Sequence, residues 1–193
     1  RGMSSAASDV YKRQMEDSSL EILKYIEIAK KKHKEGNIYQ ANEIYKKLIN
    51  QKIYTYDLLI SYGLFNKDIN NLKTAKNLFI STIKKYPSKI ESYILLAEIF
   101  RKENNFNDAL KTLQVAQNIE NQNPDVDYNL AILYKTIKLS KKALVSIDTA
   151  INKKPENQIY KILKADILID CFEDKKAQES LLNLKLKKNS HLS

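Results

Sequence analysis

The chain has 193 residues and a formal net charge of +10, with three Gly, three Pro, one Cys and no Trp. Its 43% hydrophobic and 29% charged residues exclude wholesale disorder, and no apolar run approaches the roughly 20 residues of a membrane-spanning helix. Isolated glycines exclude a Walker loop and a dinucleotide fingerprint, both of which need clustered Gly. With Cys171, His33 and His191 as the only soft ligands, neither a disulfide nor a zinc site is expected, and no cofactor is predicted.

The first residues of the chain are not expected to belong to the fold. The segment from Ser4 to Gln14 resembles the translation of a transposase adapter used to prepare sequencing libraries. We therefore interpret residues 1–14 as an adapter-derived or disordered leader, and residues 15–193 as a single array. Met15 could be the natural start, but an adapter inserted at random interrupts a gene more often than it abuts a first codon, and in that case an export signal before Met15 would be lost. A cytoplasmic location is only the default.

Small residues recur along the rest of the chain every 34 residues. One column consists of Ala41, Ala75, Ala109, Ala143 and Ala177, and a second consists of Ala29, Gly63, Ala97, Ala131 and Ala165. Bulky residues follow the first column four residues later, at Tyr45, Phe79, Leu113, Ile147 and Leu181. A fixed period between about 20 and 50 residues is the mark of a solenoid. The period predicts five units, over residues 22–55, 56–89, 90–123, 124–157 and 158–191.

Each unit is predicted to contain two short antiparallel helices. In the second unit, apolar residues at helical spacing mark one helix over residues 58–65 and another over residues 75–83. Pro124 falls at the predicted start of the fourth unit's first helix, where a missing N–H costs nothing. Helices of this length are marginal alone in water, so each unit must be stabilised by its neighbours.

The turn between the two helices has its own column. Gly36, Asn70 and Asn104 occupy it in the first three units, and Gly and Asn best tolerate the left-handed conformation that ends a helix. Lys138 and Phe172 occupy it in the last two units. We therefore expect the later turns to differ from the first three.

These motifs resemble the tetratricopeptide repeat family, whose pattern is W-x2-L-G-x2-Y, then A-x3-F, then P. The third unit matches through Tyr93, Leu96, Ala97 and Phe100, followed by Ala109 and Leu113. The fourth unit matches through Asp127, Leu130, Ala131 and Tyr134, followed by Ala143, Ile147 and Pro155. The match is weaker elsewhere, with Lys32, Asn66 and Lys164 at motif positions of the first, second and fifth units. The resemblance implies an all-α fold, a right-handed α-solenoid of helix-turn-helix repeats whose first helices line a concave face.

The resemblance also implies a protein–protein interaction scaffold rather than an enzyme, with a protein or peptide segment held in the concave groove. The groove positions form an apolar row of Ile26, Ile60, Ile94, Tyr128 and Ile162. They also form an acidic row of Asp57, Glu91 and Asp125 and a basic row of His33, Lys67, Arg101 and Lys135. Two alternatives stay open. The charged rows would complement the helix dipoles whatever the protein binds, and the apolar row would also serve as core between helices.

Two ligand modes of the family lack their residues here. A carboxylate clamp needs Lys and Asn where the first helix has Ile26 and Lys30. An asparagine ladder needs Asn along a column that reads Glu27, Ser61, Leu95, Asn129 and Leu163. Only Asn129 conforms, so it is the one polar groove residue that we carry over from this mode.

Other functions find less support in the sequence. Thirty Lys stand against three Arg, the residue best suited to bidentate phosphate recognition, so specific nucleic-acid binding is not expected. His33 and His191 lie near opposite ends of the array, and no catalytic constellation is apparent. One alternative is that the chain is the N-terminal region of a larger bacterial enzyme of the sulfotransferase or glycosyltransferase type. Self-association through the ends of the array is also left open.

Overall fold

The computed structural model describes the backbone of residues 5–171 and the side chains from Leu20 to Cys171. Over these residues the chain is built from α-helices joined by short turns, without strands. The helices are α1 (Ser5–Lys34), α2 (Ile38–Asn50), α3 (Tyr56–Asp68), α4 (Leu72–Lys85), α5 (Glu91–Lys102), α6 (Phe106–Ile119), α7 (Pro124–Thr136), α8 (Ser140–Lys153) and α9 (Gln158–Asp170).

The helices pair as the 34-residue period predicts. α1 and α2 form the first repeat, α3 and α4 the second, α5 and α6 the third, and α7 and α8 the fourth, each pair in direct contact. α9 is the first helix of the fifth repeat, and the predicted second helix of that repeat lies outside the described residues. Pro124 opens α7, as its position predicts. The prediction of an all-α fold of helix-turn-helix repeats is confirmed.

The turns within the repeats share one backbone geometry. The turn residues Gly36, Asn70, Asn104 and Lys138 have φ values of +78°, +61°, +58° and +61°. In the fourth repeat the N–H of Lys138 donates to the carbonyl oxygen of Lys135 at 3.0 Å, and the N–H of Leu139 donates to that of Tyr134 at 2.9 Å. This pair of bonds is a Schellman motif, and it holds Lys138 in a conformation that costs a non-glycine residue about 1–2 kcal/mol. The expectation that this turn differs is therefore wrong, and Phe172 lies outside the described residues.

The described members of the two small-residue columns lie in the core, where the two helices of a repeat approach each other, and Ala177 and Leu181 lie outside the described residues. Ala29, Ala97, Ala131 and Ala165 are at most 2% exposed, as are Ala41, Ala75, Ala109 and Ala143. The bulky residues that follow, such as Phe79 and Ile147, are fully buried. A small residue with a bulky one a helical turn away lets two helices interlock, which is the packing that the sequence pattern predicts.

The described chain divides into two compact units, one up to Tyr86 and one from Pro87 onward. The N-terminal unit contains α1 to α4, and one of its apolar clusters includes Ile26, Tyr45 and Phe65. The C-terminal unit contains α5 to α9, and one of its clusters includes Ile147 and Tyr160. α1 begins at Ser5, inside the predicted leader. The adapter origin of that leader, and the interpretation of residues 15–193 as a single array, stay predictions.

Candidate binding groove

The apolar row takes two different environments in the two units. In the N-terminal unit, Ile26 is 1% exposed and Ile60 is 6% exposed, and Ile26 packs in the apolar cluster with Tyr45. In the C-terminal unit, Ile94 and Tyr128 are half-buried and Ile162 is 53% exposed. Ile26 therefore lies in the core that the sequence offered as the alternative, whereas the last three members of the row reach solvent.

The last three members lie on neighbouring helices of one unit. α5 contacts α7, and α7 contacts α9, so the first helices of three consecutive repeats lie side by side. Ile94, Tyr128 and Ile162 hold the same position in these three helices, 34 residues apart. We call these three residues the exposed row. It is the part of the apolar row that reaches solvent among the described residues.

Tyr128 is held in a fixed position by its neighbours in the following repeat. Its ring stacks on that of Tyr160, with the ring centroids 5.1 Å apart, and the Oη of Tyr160 donates to Asp125 Oδ1 at 2.5 Å. Burial raises the pKa of Tyr128, the Glu98 carboxylate adds to the shift, and Arg101 opposes it. Burial and the hydrogen bond to Asp125 raise the pKa of Tyr160 further. Both phenols are therefore neutral donors at physiological pH.

Two members of the basic row, Lys135 and His33, contact side chains of neighbouring helices. Lys135 Nζ lies 3.1 Å from Asp166 Oδ2 and 3.0 Å from Asp170 Oδ2, both on α9. Burial lowers the pKa of Lys135, but the hydrogen bonds to Asp170 and Asp166 outweigh it and leave the pKa above its ordinary value. The ring of His33 meets that of Phe65 edge-on, with the ring centroids 5.0 Å apart. Lys67 and Arg101 are half-buried in the last turns of α3 and α5.

The acidic row lies in the first turns of three first helices, where a carboxylate complements the helix dipole. Asp57, Glu91 and Asp125 occupy these first turns in α3, α5 and α7. Asn129 follows on α7, but its Nδ2 donates to the backbone carbonyl oxygen of Asp125 at 2.8 Å. The amide of Asn129 is therefore bound to its own helix.

Sequence reasoning missed two carboxylates that border the exposed row. Asp166 and Asp170 lie one helical turn apart on α9, and the side chain of Asp166 is 56% exposed. The signal was available, because Asp166 is four residues after Ile162 and so lies on the same face of the helix. The ion pairs with Lys135 depend on the packing of α7 against α9, and no local pattern encodes them.

A second missed feature is a buried ionic cluster between α6, α7 and α8. Asp127 is 3% exposed, Lys153 Nζ lies 2.5 Å from its Oδ2, and Gln117 Nε2 donates to its Oδ1 at 3.2 Å. Lys153 also donates to the backbone carbonyl oxygen of Asn121. Asp127 stands where the repeat motif carries an aromatic residue. A buried carboxylate at that position needs such partners, because an unpaired buried charge is strongly destabilising.

The described residues also bear on two other kinds of site, a metal site and a membrane-spanning helix. Between Leu20 and Cys171, no group of three or more His, Cys, Asp or Glu is arranged to hold a metal ion. Within the described part of the chain, no helix is both long enough and apolar enough to cross a membrane.

Comparisons with known proteins bear on the fold. No protein-family model and no curated protein sequence matches the chain. Among solved structures, a tetratricopeptide repeat protein from Parabacteroides merdae superposes with a TM-score of 0.76 at 12% identity, over 92% of this chain and 70% of that one. The chain has the tetratricopeptide repeat fold.

Two further structures agree with this assignment. MamA from Desulfovibrio magneticus RS-1 superposes with a TM-score of 0.71 at 16% identity, over 89% of this chain and 97% of that one. A thermophilic tetratricopeptide repeat protein from Thermus thermophilus gives a TM-score of 0.71 at 12% identity, over 89% and 98% of the two chains. At these identities the likeness concerns the fold, which is the one that the 34-residue columns predict.

Proposed function

We propose that the chain is an interaction scaffold that binds a segment of a partner protein along the first helices of its C-terminal unit. One observation carries the proposal. Ile94 and Tyr128 are half-buried and Ile162 is 53% exposed, although all three belong to an apolar row. The equivalent Ile26 and Ile60 are buried. Apolar side chains that are fixed on rigid helices and still reach solvent can serve as anchor points for an extended or helical ligand.

Tyr128 is the central anchor of the proposal. Its ring is already ordered by stacking on Tyr160, so a ligand that packs on its free face loses little rotamer entropy. Glu98 and Arg101 on α5 are close enough to shift the pKa of Tyr128, and Asp166 lies on α9 one helical turn after Ile162. Such charges set the register and orientation of a bound segment more than its affinity.

A peptide library selected against the chain tests the proposal. Peptides enriched on the parent protein should bind the Tyr128→Ala variant about tenfold more weakly or worse, the loss expected for a central aromatic anchor. Helical content should stay unchanged. Ile162→Asp is a second groove variant, and its exposed position makes a folding defect improbable as the cause.

Val145→Asp provides the matched control. Val145 lies on α8, a second helix, and is 68% exposed, so the same kind of charge enters an exposed apolar site away from the exposed row. The control should bind the selected peptides as the parent does. Equal affinity of the parent, Tyr128→Ala and Ile162→Asp for every enriched peptide would overturn the proposal.

A further inference from the structure

The first repeat carries a second apolar surface, distinct from the exposed row. A cavity of about 390 Å³ opens between α1 and α2, walled by Ile22, Tyr25, Ile44, Leu48 and Ile53. Next to it, Leu20 is 54% exposed and Ile28 is 45% exposed. The volume lies within the range of about 300–1,000 Å³ that is typical of ligand sites. We call this area the first-repeat surface.

Inner repeats show what occupies the equivalent position. Asp127 stands three periods after Tyr25 in the sequence, and it is almost fully buried. It receives a hydrogen bond from Gln117 on α6, which is the second helix of the preceding repeat. α8 packs in the same way against α9. In this architecture, therefore, the surface around Tyr25 has the geometry of a docking site for an amphipathic helix.

The charges around the first-repeat surface differ from those at the equivalent positions of the fourth repeat. Lys24 and Lys31 occupy the positions that Val126 and Leu133 hold in the fourth repeat, where both are 1% exposed. Both lysines are exposed on α1. Positions that are apolar and buried in the fourth repeat thus carry ammonium groups in the first repeat.

The cavity itself adds to this positive charge. Lys47 lines it, with its Nζ 5.9 Å from the centroid of the Tyr25 ring. Lys46 lies beside it and is 3.6 Å from Glu43, and Glu21 is the one acid among the residues that line the cavity. The cations of the first-repeat surface thus outnumber its acids, and they surround an apolar floor.

We propose that the first-repeat surface docks an amphipathic helix of a partner protein, apolar on one face and flanked by Asp or Glu. The apolar face fills the cavity as a preceding second helix would, and the acidic flanks pair with Lys24, Lys31 and Lys47. A second copy of this chain is disfavoured as the occupant. Residues 172–193, the part of such a copy outside the described residues, carry five Lys against three Asp and Glu and would bring like charges together.

The test uses the chain as it stands and two synthetic helices. One fluorescein-labelled helix of about 18 residues, long enough to span a repeat, has Leu on one face and Glu on the flanks. The other has Lys in place of every Glu. By fluorescence anisotropy at low salt, the acidic helix should bind at least about tenfold more tightly than the basic one, and added salt should reduce the difference.

Charge reversal locates the binding. The Lys24→Glu/Lys47→Glu variant should lose the preference for the acidic helix, and because both sites are exposed the fold should be retained. Tyr39→Glu on α2 is the matched control, since Tyr39 is 77% exposed and does not line the cavity, and it should bind as the parent does. Tyr128→Ala should also leave this binding unchanged, which separates the first-repeat surface from the exposed row.

Four results would overturn the proposal. The first is equal binding of the two helices, and the second is a preference that survives the double charge reversal. The third comes from sedimentation velocity of the chain alone: self-association that Tyr25→Asp abolishes would identify a second copy as the occupant. If Tyr128→Ala abolishes binding of the acidic helix instead, that helix occupies the exposed row, and only the proposed function survives.

Discussion

Gly63 sets up a conflict between helix propensity and packing, and its replacement by Ala measures which one prevails. Ala is the residue in the same column of the other four repeats, and in an exposed helix Ala is more stable than Gly by about 1 kcal/mol. Propensity alone therefore predicts that Gly63→Ala stabilises the protein. The structure predicts the opposite.

The packing around Gly63 leaves no room for a methyl group. A Cβ at this position would lie 2.3 Å from Phe79 Cε1 and 2.9 Å from Phe79 Cδ1 and Cζ. Carbon atoms pack at about 3.5–4.0 Å, so the Phe79 ring would have to move by more than an ångström in a fully buried site. Overpacking of this kind costs about 1–3 kcal/mol. After subtraction of the propensity gain, we expect Gly63→Ala to destabilise by about 1 kcal/mol.

A double-mutant cycle in urea, followed by far-ultraviolet circular dichroism, tests this reasoning. Phe79→Leu reproduces the pairing of Ala97 with Leu113 in the third repeat, so it should cost less in the Gly63→Ala background than in the parent, with a coupling of about 1–2 kcal/mol. Asn77→Ala, on the exposed face of α4, reports the propensity gain without a clash. A rise in stability for Gly63→Ala, or additive effects in the cycle, would refute the argument.

Three further predictions concern the turns, the core and the pH dependence. Lys138→Gly should raise the stability by about 1 kcal/mol because it relieves a φ of +61°, whereas Lys111→Gly in the middle of α6 should lower it; a fall for both would contradict the turn geometry. Ala109→Trp should lower the melting temperature well below that of Lys111→Trp, since Ala109 is 1% exposed and Lys111 is on the surface; equal shifts would contradict the register. Burial, with a contribution from Glu27, raises the pKa of Tyr45 to about 12, so its stabilising effect is complete below the unfolded-state pKa of about 10 and is lost as the pH rises from there to about 12. Tyr45→Phe should therefore flatten the alkaline unfolding curve, and an unchanged curve would show that the pKa of this phenol does not differ between the folded and the unfolded protein.

The repeat register was accessible from the sequence because it rests on local rules. Ala at one position and a bulky residue four positions later determine how two helices approach. Five copies of that pattern at a constant period are compatible with one repeat register. The turns at Asn70 and Asn104 follow from residue chemistry in the same way. The turn at Lys138 does not, because there the backbone hydrogen bonds of the Schellman motif prevail over the preference of the side chain.

The candidate groove was less accessible because exposure depends on neighbours. Ile26 and Ile162 have the same residue type and the same position in the repeat, yet one is 1% and the other 53% exposed. Pairs such as Lys135 with Asp166 join different helices far apart in the sequence, so helix geometry alone does not reveal them. The columns identified the candidate positions, and packing decides which of them reach solvent.

The claim that the exposed row binds a partner segment is tested most directly by amide hydrogen exchange on the chain with and without a library-selected peptide. The account predicts added protection in α5, α7 and α9, the first helices that carry Ile94, Tyr128 and Ile162, and loss of that protection in Tyr128→Ala. Protection confined to the second helices α6 and α8, or protection that persists in Tyr128→Ala, would contradict it.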